Sequence, residues 1–188
     1  MRKLPSLLLV AATLLAGVSP LAAQQKRVSP HESIYGRVGS QRNGALVSIT
    51  YGRPFSTKPG TAEARKVWGG LVPWGEPYRL GADEATLLLT QVPLVFGETT
   101  IAPGAYTLYM VPTETGASQL VISSAIGKWG IPVDVTHDLV RVDLKKESLD
   151  KNVDQLTLAI DNAPDAGGGV VRIMWETTQY SVPFTVKK

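Results

Sequence analysis

Six segments of the chain alternate apolar and polar side chains with a period of two residues, and this pattern constrains the fold more than any other feature. In one of them Val47, Ile49 and Tyr51 alternate with Ser48 and Thr50. Such alternation places one set of side chains on a buried sheet face and the other set toward water. The same pattern recurs at residues 105–110, 139–144, 155–161, 171–176 and 181–186. The sequence therefore predicts a protein built from antiparallel strands.

The residues between these segments are typical of strand connections. Phe96-Gly97-Glu98-Thr99 is typical of a hairpin tip, and residues 162–169 form a Gly- and Asp-rich loop between two strands. The most helix-like stretch beyond the N-terminus, residues 145–151, is short, and we expect a turn there. Because seven to nine antiparallel strands need two packed sheets, we expect an all-β fold, a single antiparallel β-sandwich of about seven to nine strands.

The first 23 residues have the layout of a secretory signal peptide. Arg2 and Lys3 precede an apolar run, Leu7–Val18, that carries no charge, and small residues end at Ala23. A membrane-spanning helix needs roughly 20 apolar residues, so this run is too short and we expect no transmembrane span in the mature protein. We predict a signal peptide at residues 1–23, cleavage near Ala23, a polar arm at 24–30 and one domain at 31–188. The protein would then be exported to the periplasm or outside the cell.

Composition and charge exclude several classes of partner and chemistry. The chain has 188 residues, 44% hydrophobic and 19% charged, which is typical of one globular domain. It contains no Cys, which excludes disulfides, thiolate metal sites and a Cys nucleophile. Loss of Arg2 and Lys3 would take Lys and Arg from 19 to 17 against 16 Asp and Glu, lowering the net charge from +3 to +1. A charge so close to neutral does not favour nucleic acid as a partner.

Residues 52–86 break the alternating pattern. They are rich in Gly and Pro and contain Phe55, Trp68, Trp74 and Tyr78. A segment of this length without strands is usually functional or disordered, and aromatic side chains that can bury large areas argue against disorder. We therefore expect this segment to be ordered and packed onto the sandwich.

The same segment carries the polar residues that we consider candidates for a site. Charged groups in surroundings rich in aromatic residues must be paired if they are buried, or they line a pocket that binds a charged ligand. Aromatic side chains nearby could either stack against a ligand or fill the core. The candidate ligand-binding residues are Arg53, Arg79, Asp83 and Glu84, with Trp74 and Tyr78 beside them. As an alternative, these charges form ion pairs that hold the segment to the sheet.

Metal and cofactor chemistry has little support in the sequence. His31 and His137 are the only histidines, and the spacing of Asp134 and Asp138 around His137 matches no metal-ligand motif. A Gly-x-Ser-x-Gly elbow for Ser-His-Asp catalysis is absent from the sequence. We therefore expect no metal and no cofactor.

Several blocks of the chain resemble a known bacterial family. The first three blocks are Tyr51-Gly52-Arg53-Pro54, residues 65–75 with the sequence RKVWGGLVPWG, and residues 78–86 with the sequence YRLGADEAT. Residues 102–108 and the pair Trp129-Gly130 extend the match. These blocks are similar to the domain-of-unknown-function 2911 family and span roughly residues 29 to 186. The resemblance implies an exported β-rich domain and brings no assigned reaction or catalytic residue. Two departures are Asp83, where the family more often has Asn, and an enlarged loop at residues 56–64.

Three functions remain open from the sequence. The first is a non-enzymatic binding module for a small ligand or an envelope protein, because a full β scaffold is present without a recognised catalytic set. The second is a hydrolase or isomerase that uses Glu84 as acid or base with Arg79. The third is a structural or assembly protein whose sheet edges meet a partner.

Overall fold

The structure is a computed structural model that describes residues 27–40, 42 and 44–187. The predicted signal peptide and its cleavage point lie outside these residues and stay predictions. Of the predicted polar arm, residues 27–30 are described and contain no strand.

The described part of the chain contains ten strands, slightly more than the seven to nine expected. Strands at residues 31–38 and 119–123 were not among the segments that the sequence pattern identified, whereas the hairpin predicted around residues 96–99 is confirmed. Two short 3-10 helices lie at Val135–His137 and Pro164–Ala166. The strands are β1 (His31–Val38), β2 (Ala45–Gly52), β3 (Thr86–Thr90), β4 (Leu94–Phe96), β5 (Thr99–Ile101), β6 (Gly104–Val111), β7 (Gln119–Ser123), β8 (Asp138–Asp143), β9 (Lys145–Ala163) and β10 (Gly168–Val186).

The strands form two antiparallel sheets, which confirms the predicted β-sandwich. The larger sheet has the order β1-β2-β3-β6-β7-β8, and the smaller has the order β5-β4-β10-β9. Alternate residues of the strands face the shared core, as the sequence pattern predicted: Ile49 on β2, Leu156 on β9 and Ile173 on β10 are all buried. The core therefore lies between the inner faces of the two sheets.

A long hairpin of β9 and β10 makes up most of the smaller sheet. Each strand has 19 residues, and their pairing shifts register between Met174 and Thr178. Our expectation of a turn at residues 145–151 was wrong, because these residues form the first part of β9, in which residues 145–148 pair with residues 178–181 of β10. The predicted loop at 162–169 contains the hairpin connection, but the connection is shorter than expected. Residues 162, 163, 168 and 169 pair within the strands, and residues 164–167 make the turn, where Gly167 adopts a φ of 69°.

Residues 53–85, which we call the cap segment, connect β2 to β3 and pack onto the sandwich. Val67, Val72 and Leu80 are buried within the main core. Backbone hydrogen bonds tie the segment to the strands: Tyr78 and Met110 each donate to the other's carbonyl, at 2.7 and 2.9 Å. The prediction of an ordered segment packed on the sandwich is confirmed.

Aromatic side chains join the cap segment to the smaller sheet. The Trp68 ring lies edge-on to Tyr180 and to Trp175, with centroid distances of 5.2 and 6.4 Å. Trp175 and Tyr180 both belong to β10 and are fully buried. Part of the hydrophobic core is thus supplied by residues without regular secondary structure.

A search of the described residues for a helix with the length and hydrophobicity needed to cross a membrane found none.

Candidate functional site

A cavity of about 670 Å³ lies between the cap segment and residues 130–133. Val28 and Ser29, next to the start of β1, also border it. Most of its lining is apolar, because loops rich in Pro and aromatic residues meet there. The main apolar contributors are Phe55, Leu71, Pro73, Tyr78, Ile131 and Pro132.

Two arginines from the cap segment line this cavity. Arg79 donates from Nη1 to the carbonyl of Trp129 at 3.1 Å and from Nε to the carbonyl of Gly81 at 3.3 Å. Its guanidinium also lies over the Trp129 ring, 5.5 Å from the centroid. Arg65 donates from Nη2 to the carbonyl of Phe55. The Arg65 Nε is buried, and no described residue accepts a hydrogen bond from it.

Tyr78 forms one wall of the cavity. Its ring stacks on Trp175 with a centroid distance of 6.4 Å, and its hydroxyl donates to the carbonyl of Gly81 at 3.4 Å. Burial raises the pKa of Tyr78 well above its usual value, and the positive charges of Arg79 and Arg65 oppose this rise. Both guanidiniums therefore act on the hydroxyl of this one residue.

Asp83 and Glu84 do not line the cavity and instead form an ion cluster with Arg27 and His31. Arg27 makes a two-pronged pair with Glu84, in which Nη2 lies 2.6 Å from Oε1. The hydrogen bonds from Arg27 hold the pKa of Glu84 at about 2, well below its usual value. Asp83 Oδ2 lies 3.1 Å from the His31 Nε2. The cluster therefore fastens the residues that precede β1 to the end of the cap segment.

The same cluster contains three potential metal ligands. One atom from each of His31, Asp83 and Glu84 lies within 4.8 Å of the other two. Arg27 Nη1 lies 2.8 Å from the His31 Nε2 and also contacts Glu84, so a cationic group of the chain already faces these ligands. His137 lies outside this cluster and contacts Asp134 at 3.1 Å.

Arg53 also lies away from the cavity. It donates from Nε to the carbonyl of Leu156 at 3.1 Å and from Nη2 to Thr157 Oγ1 at 2.9 Å. Its Nε lies 3.3 Å from a carboxylate oxygen of Glu32. Arg53 therefore joins the start of the cap segment to β9 and β1.

Trp74 does not line the cavity and contacts Trp68 instead. Its ring stacks on Trp68 at a centroid distance of 6.2 Å, and Lys146 Nζ lies 5.7 Å from its centroid. Of the six candidate residues, the structure brings only Arg79 and Tyr78 to the cavity and places the other four in three other groups.

Sequence reasoning missed Arg65 and the loop at 130–133. Arg65 is the first residue of the Trp-bearing block at 65–75, but its neighbours in sequence carry no sign of a cavity. Gly130 packs beside Ala85 and Arg79, and a Cβ at Gly130 would lie 3.1 Å from atoms of both. Its φ of 84° also favours glycine. A glycine that follows an exposed Trp is a weak signal, which could be interpreted only once the contact with Arg79 was known.

Comparison with known proteins adds a family and no activity. No curated protein and no solved structure shows a significant match to the chain. Residues 29–184 match a family described as "Protein of unknown function (DUF2911)". This match covers most of the chain, and the protein therefore belongs to the DUF2911 family.

Proposed function

We propose that this protein is a non-enzymatic binding protein whose ligand is a small organic molecule held in the cavity beneath the cap segment. The observation that carries the proposal is the cavity itself, with its volume of about 670 Å³ and its largely apolar lining. Ligand pockets in proteins commonly enclose about 300–1,000 Å³ and combine apolar walls with a few polar groups. The predicted export would place this binding in the periplasm or outside the cell.

The position of the cavity in the fold supports the proposal. Binding sites are often built from loops that a rigid scaffold holds in place. Here Val67 and Val72 anchor the cap segment in the core, while Leu71 between them is 39% exposed and lines the cavity. The segment is thus fixed on one side and presents apolar side chains on the other.

The geometry gives the hydrolase or isomerase hypothesis less support. A general acid or base works best when its pKa is close to the working pH. Arg27 instead keeps the pKa of Glu84 at about 2. Arg79 donates to the carbonyls of Gly81 and Trp129, and neither bond involves Glu84. We also place binding above an assembly role, because exposed sheet edges occur in every open sandwich whereas this cavity is a specific feature.

A neutral apolar dye tests the proposal. Phenylnaphthylamine fluoresces in apolar surroundings, and we expect saturable fluorescence when it is titrated into the folded protein. Leu71→Asp places a carboxylate in the apolar lining, and we expect it to weaken dye binding by about fivefold or more.

Leu89→Asp is the matched control, because Leu89 is 40% exposed and belongs to β3 rather than to the cavity lining. It should leave dye binding unchanged. Absence of saturable fluorescence with folded protein, or equal weakening by both variants, would contradict a binding site in this cavity.

A further inference from the structure

We infer that the ligand of this cavity is an amphiphilic organic anion, whose apolar body contacts Phe55 and Leu71 and whose carboxylate or similar charged group binds Arg65 and Arg79. This inference rests on the proposed function and adds the chemical class of the ligand.

Arg65 is incompletely hydrogen-bonded. Its guanidinium donates to the neutral carbonyl of Phe55, while its buried Nε has no acceptor among the described residues. The Arg65 side chain is half-buried, and a cationic group partly removed from water gains free energy from a counter-charge or from further hydrogen-bond acceptors. Arg65 has neither a carboxylate partner within the described ranges nor a full set of acceptors.

Arg79 has only neutral partners among the described residues. It donates to the carbonyls of Gly81 and Trp129, and the face of the Trp129 ring completes its surroundings. These contacts orient the guanidinium without cancelling its charge. In the described part of the chain no carboxylate forms an ion pair with Arg79.

The two arginines line the same cavity. Tyr78 lines it with them, and the positive charges of both oppose the rise in the pKa of Tyr78 that burial causes. Glu76 also borders the cavity, but it is exposed and makes no ion pair with either arginine among the described residues. The charged side chains of the lining therefore carry a net positive charge.

The nearest acidic cluster does not compensate for this charge. Glu84 is engaged by Arg27 through two contacts, and Asp83 faces His31. Those carboxylates are already matched by positive or donor groups outside the cavity lining. An anion supplied by the ligand is the partner that the two arginines lack.

The chemistry of the walls selects an amphiphile over a small inorganic anion. Guanidinium groups bind carboxylates through paired hydrogen bonds, which are stronger when the acceptor is charged. The walls made by Phe55, Leu71 and Ile131, however, offer nothing to a fully hydrated ion such as phosphate. A ligand with an apolar body and one anionic end fits both parts of the cavity.

Two dyes that share one ring system test the inference. Anilinonaphthalene sulfonate is phenylnaphthylamine with an added sulfonate group. We expect the sulfonate dye to bind about tenfold more tightly at low salt, and we expect this preference to shrink as salt screens the charges. Decanoate should displace it at about one-tenth of the concentration that decanol requires, while inorganic phosphate should not displace it.

Substitution of the two arginines tests whether they cause the preference for the sulfonate dye. Arg65→Met and Arg79→Met keep much of the side-chain length and remove the charge, so each should reduce the preference for the sulfonate dye by about threefold or more. Arg37→Met is the control, because Arg37 on β1 also donates to a carbonyl, that of Gly44, and does not line the cavity. If a Met variant fails to fold by circular dichroism, the Gln variant at the same position replaces it.

The outcomes separate this inference from the proposed function. Failure of both dyes to bind would overturn both proposals. Equal binding of the two dyes, or a sulfonate preference that survives both arginine substitutions, would overturn the anionic ligand and leave the cavity as an apolar site. Displacement by phosphate as efficiently as by decanoate would overturn the amphiphile.

Discussion

The hydroxyl of Tyr51 on β2 accepts a hydrogen bond from the backbone N–H of Leu158 on β9, at 2.8 Å. The same hydroxyl donates to Glu32 at 3.0 Å. Because β2 and β9 belong to different sheets, this phenol joins the two halves of the sandwich. Arg53 reaches Leu156 and Thr157 beside it and adds two further bonds between the layers.

Tyr51→Phe removes this connection. The buried N–H of Leu158 would lose its acceptor, and leaving a buried donor unsatisfied costs about 1–3 kcal/mol. We expect the free energy of unfolding at pH 7 to fall by that amount in urea titrations, with an unchanged m-value. A loss well below this range would mean that water replaces the phenol.

The same substitution should change the response to alkaline pH. Burial and the bond to Glu32 raise the pKa of Tyr51 to about 12, from 10.0 in the unfolded chain. The neutral phenol is thus favoured in the folded state. Its contribution to the free energy of unfolding is therefore fully present below pH 10 and is lost as the pH rises toward 12. The stability difference between wild type and Tyr51→Phe should therefore narrow between pH 10 and 12, as measured by urea unfolding at a series of pH values.

Arg53 and Arg79 should differ in their effects on stability. Arg53 makes two hydrogen bonds and an ion pair that hold the start of the cap segment, so we expect Arg53→Met to lower the free energy of unfolding by about 2–4 kcal/mol. Arg79→Met should cost about 1 kcal/mol, because Arg79 is partly exposed and its bonds to carbonyls are longer. Denaturant unfolding of both variants measures the difference, and the reverse order would contradict these roles.

Glu84 should make a small contribution to stability that is lost in acid. Because Arg27 holds the pKa of Glu84 at about 2, below 4.5 in the unfolded chain, this contribution is present above pH 4.5 and disappears as the pH falls toward 2. Glu84 is largely exposed, so solvent screening limits the change in Tm at pH 7 to about 3 °C or less for Glu84→Gln. Thermal unfolding between pH 2 and 7 should show that the Tm of Glu84→Gln falls less in acid than the Tm of the wild type.

Glu84→Gln should also expose the bond after Arg27 to trypsin. The pair with Glu84 holds Arg27 in place, and its loss should raise the rate of cleavage there severalfold, as followed by mass spectrometry. Glu63→Gln removes the exposed pair with Lys58 and serves as the control. Equal rates in wild type and both variants would mean that the pair does not restrain these residues.

The cap segment should unfold together with the sandwich. Leu80 is 1% exposed and lies in the core, so we expect Leu80→Ala to cost about 2–5 kcal/mol. Leu71→Ala is the control, since Leu71 is 39% exposed and its truncation should cost under about 1 kcal/mol. Urea unfolding followed by Trp fluorescence and by circular dichroism should give one coincident transition. Separate transitions would show that the cap segment is not part of the cooperative unit.

Several of the strands that sequence analysis found have one buried face. Val47 and Ile49 on β2 alternate with polar neighbours because one side of the strand meets the core. Residues 145–151 carry no such signal, since no side chain among them is buried. They belong to a strand because residues 145–148 pair with residues 178–181 of β10, and this long-range pairing is not encoded in the local pattern.

The site was only partly predictable for a similar reason. Tyr78 and Arg79 stood out because they lie in a Gly- and aromatic-rich segment without alternation. Arg65 and the loop at 130–133 approach them through the folded chain, and Trp129 is 50 residues from Arg79 in sequence. Neither the local composition nor the spacing of residues predicts the contact between Arg79 and Trp129.

The cap segment has a consequence for how this family can diversify. Its position depends on buried side chains and isolated backbone bonds, while the strand ladders are formed by other residues. Replacements at exposed positions that border the cavity, such as Leu71 and Ile131, can reshape the pocket without disturbing strand register. Under the proposed function, a few changes in the connections that border the cavity would alter ligand specificity while leaving the scaffold intact.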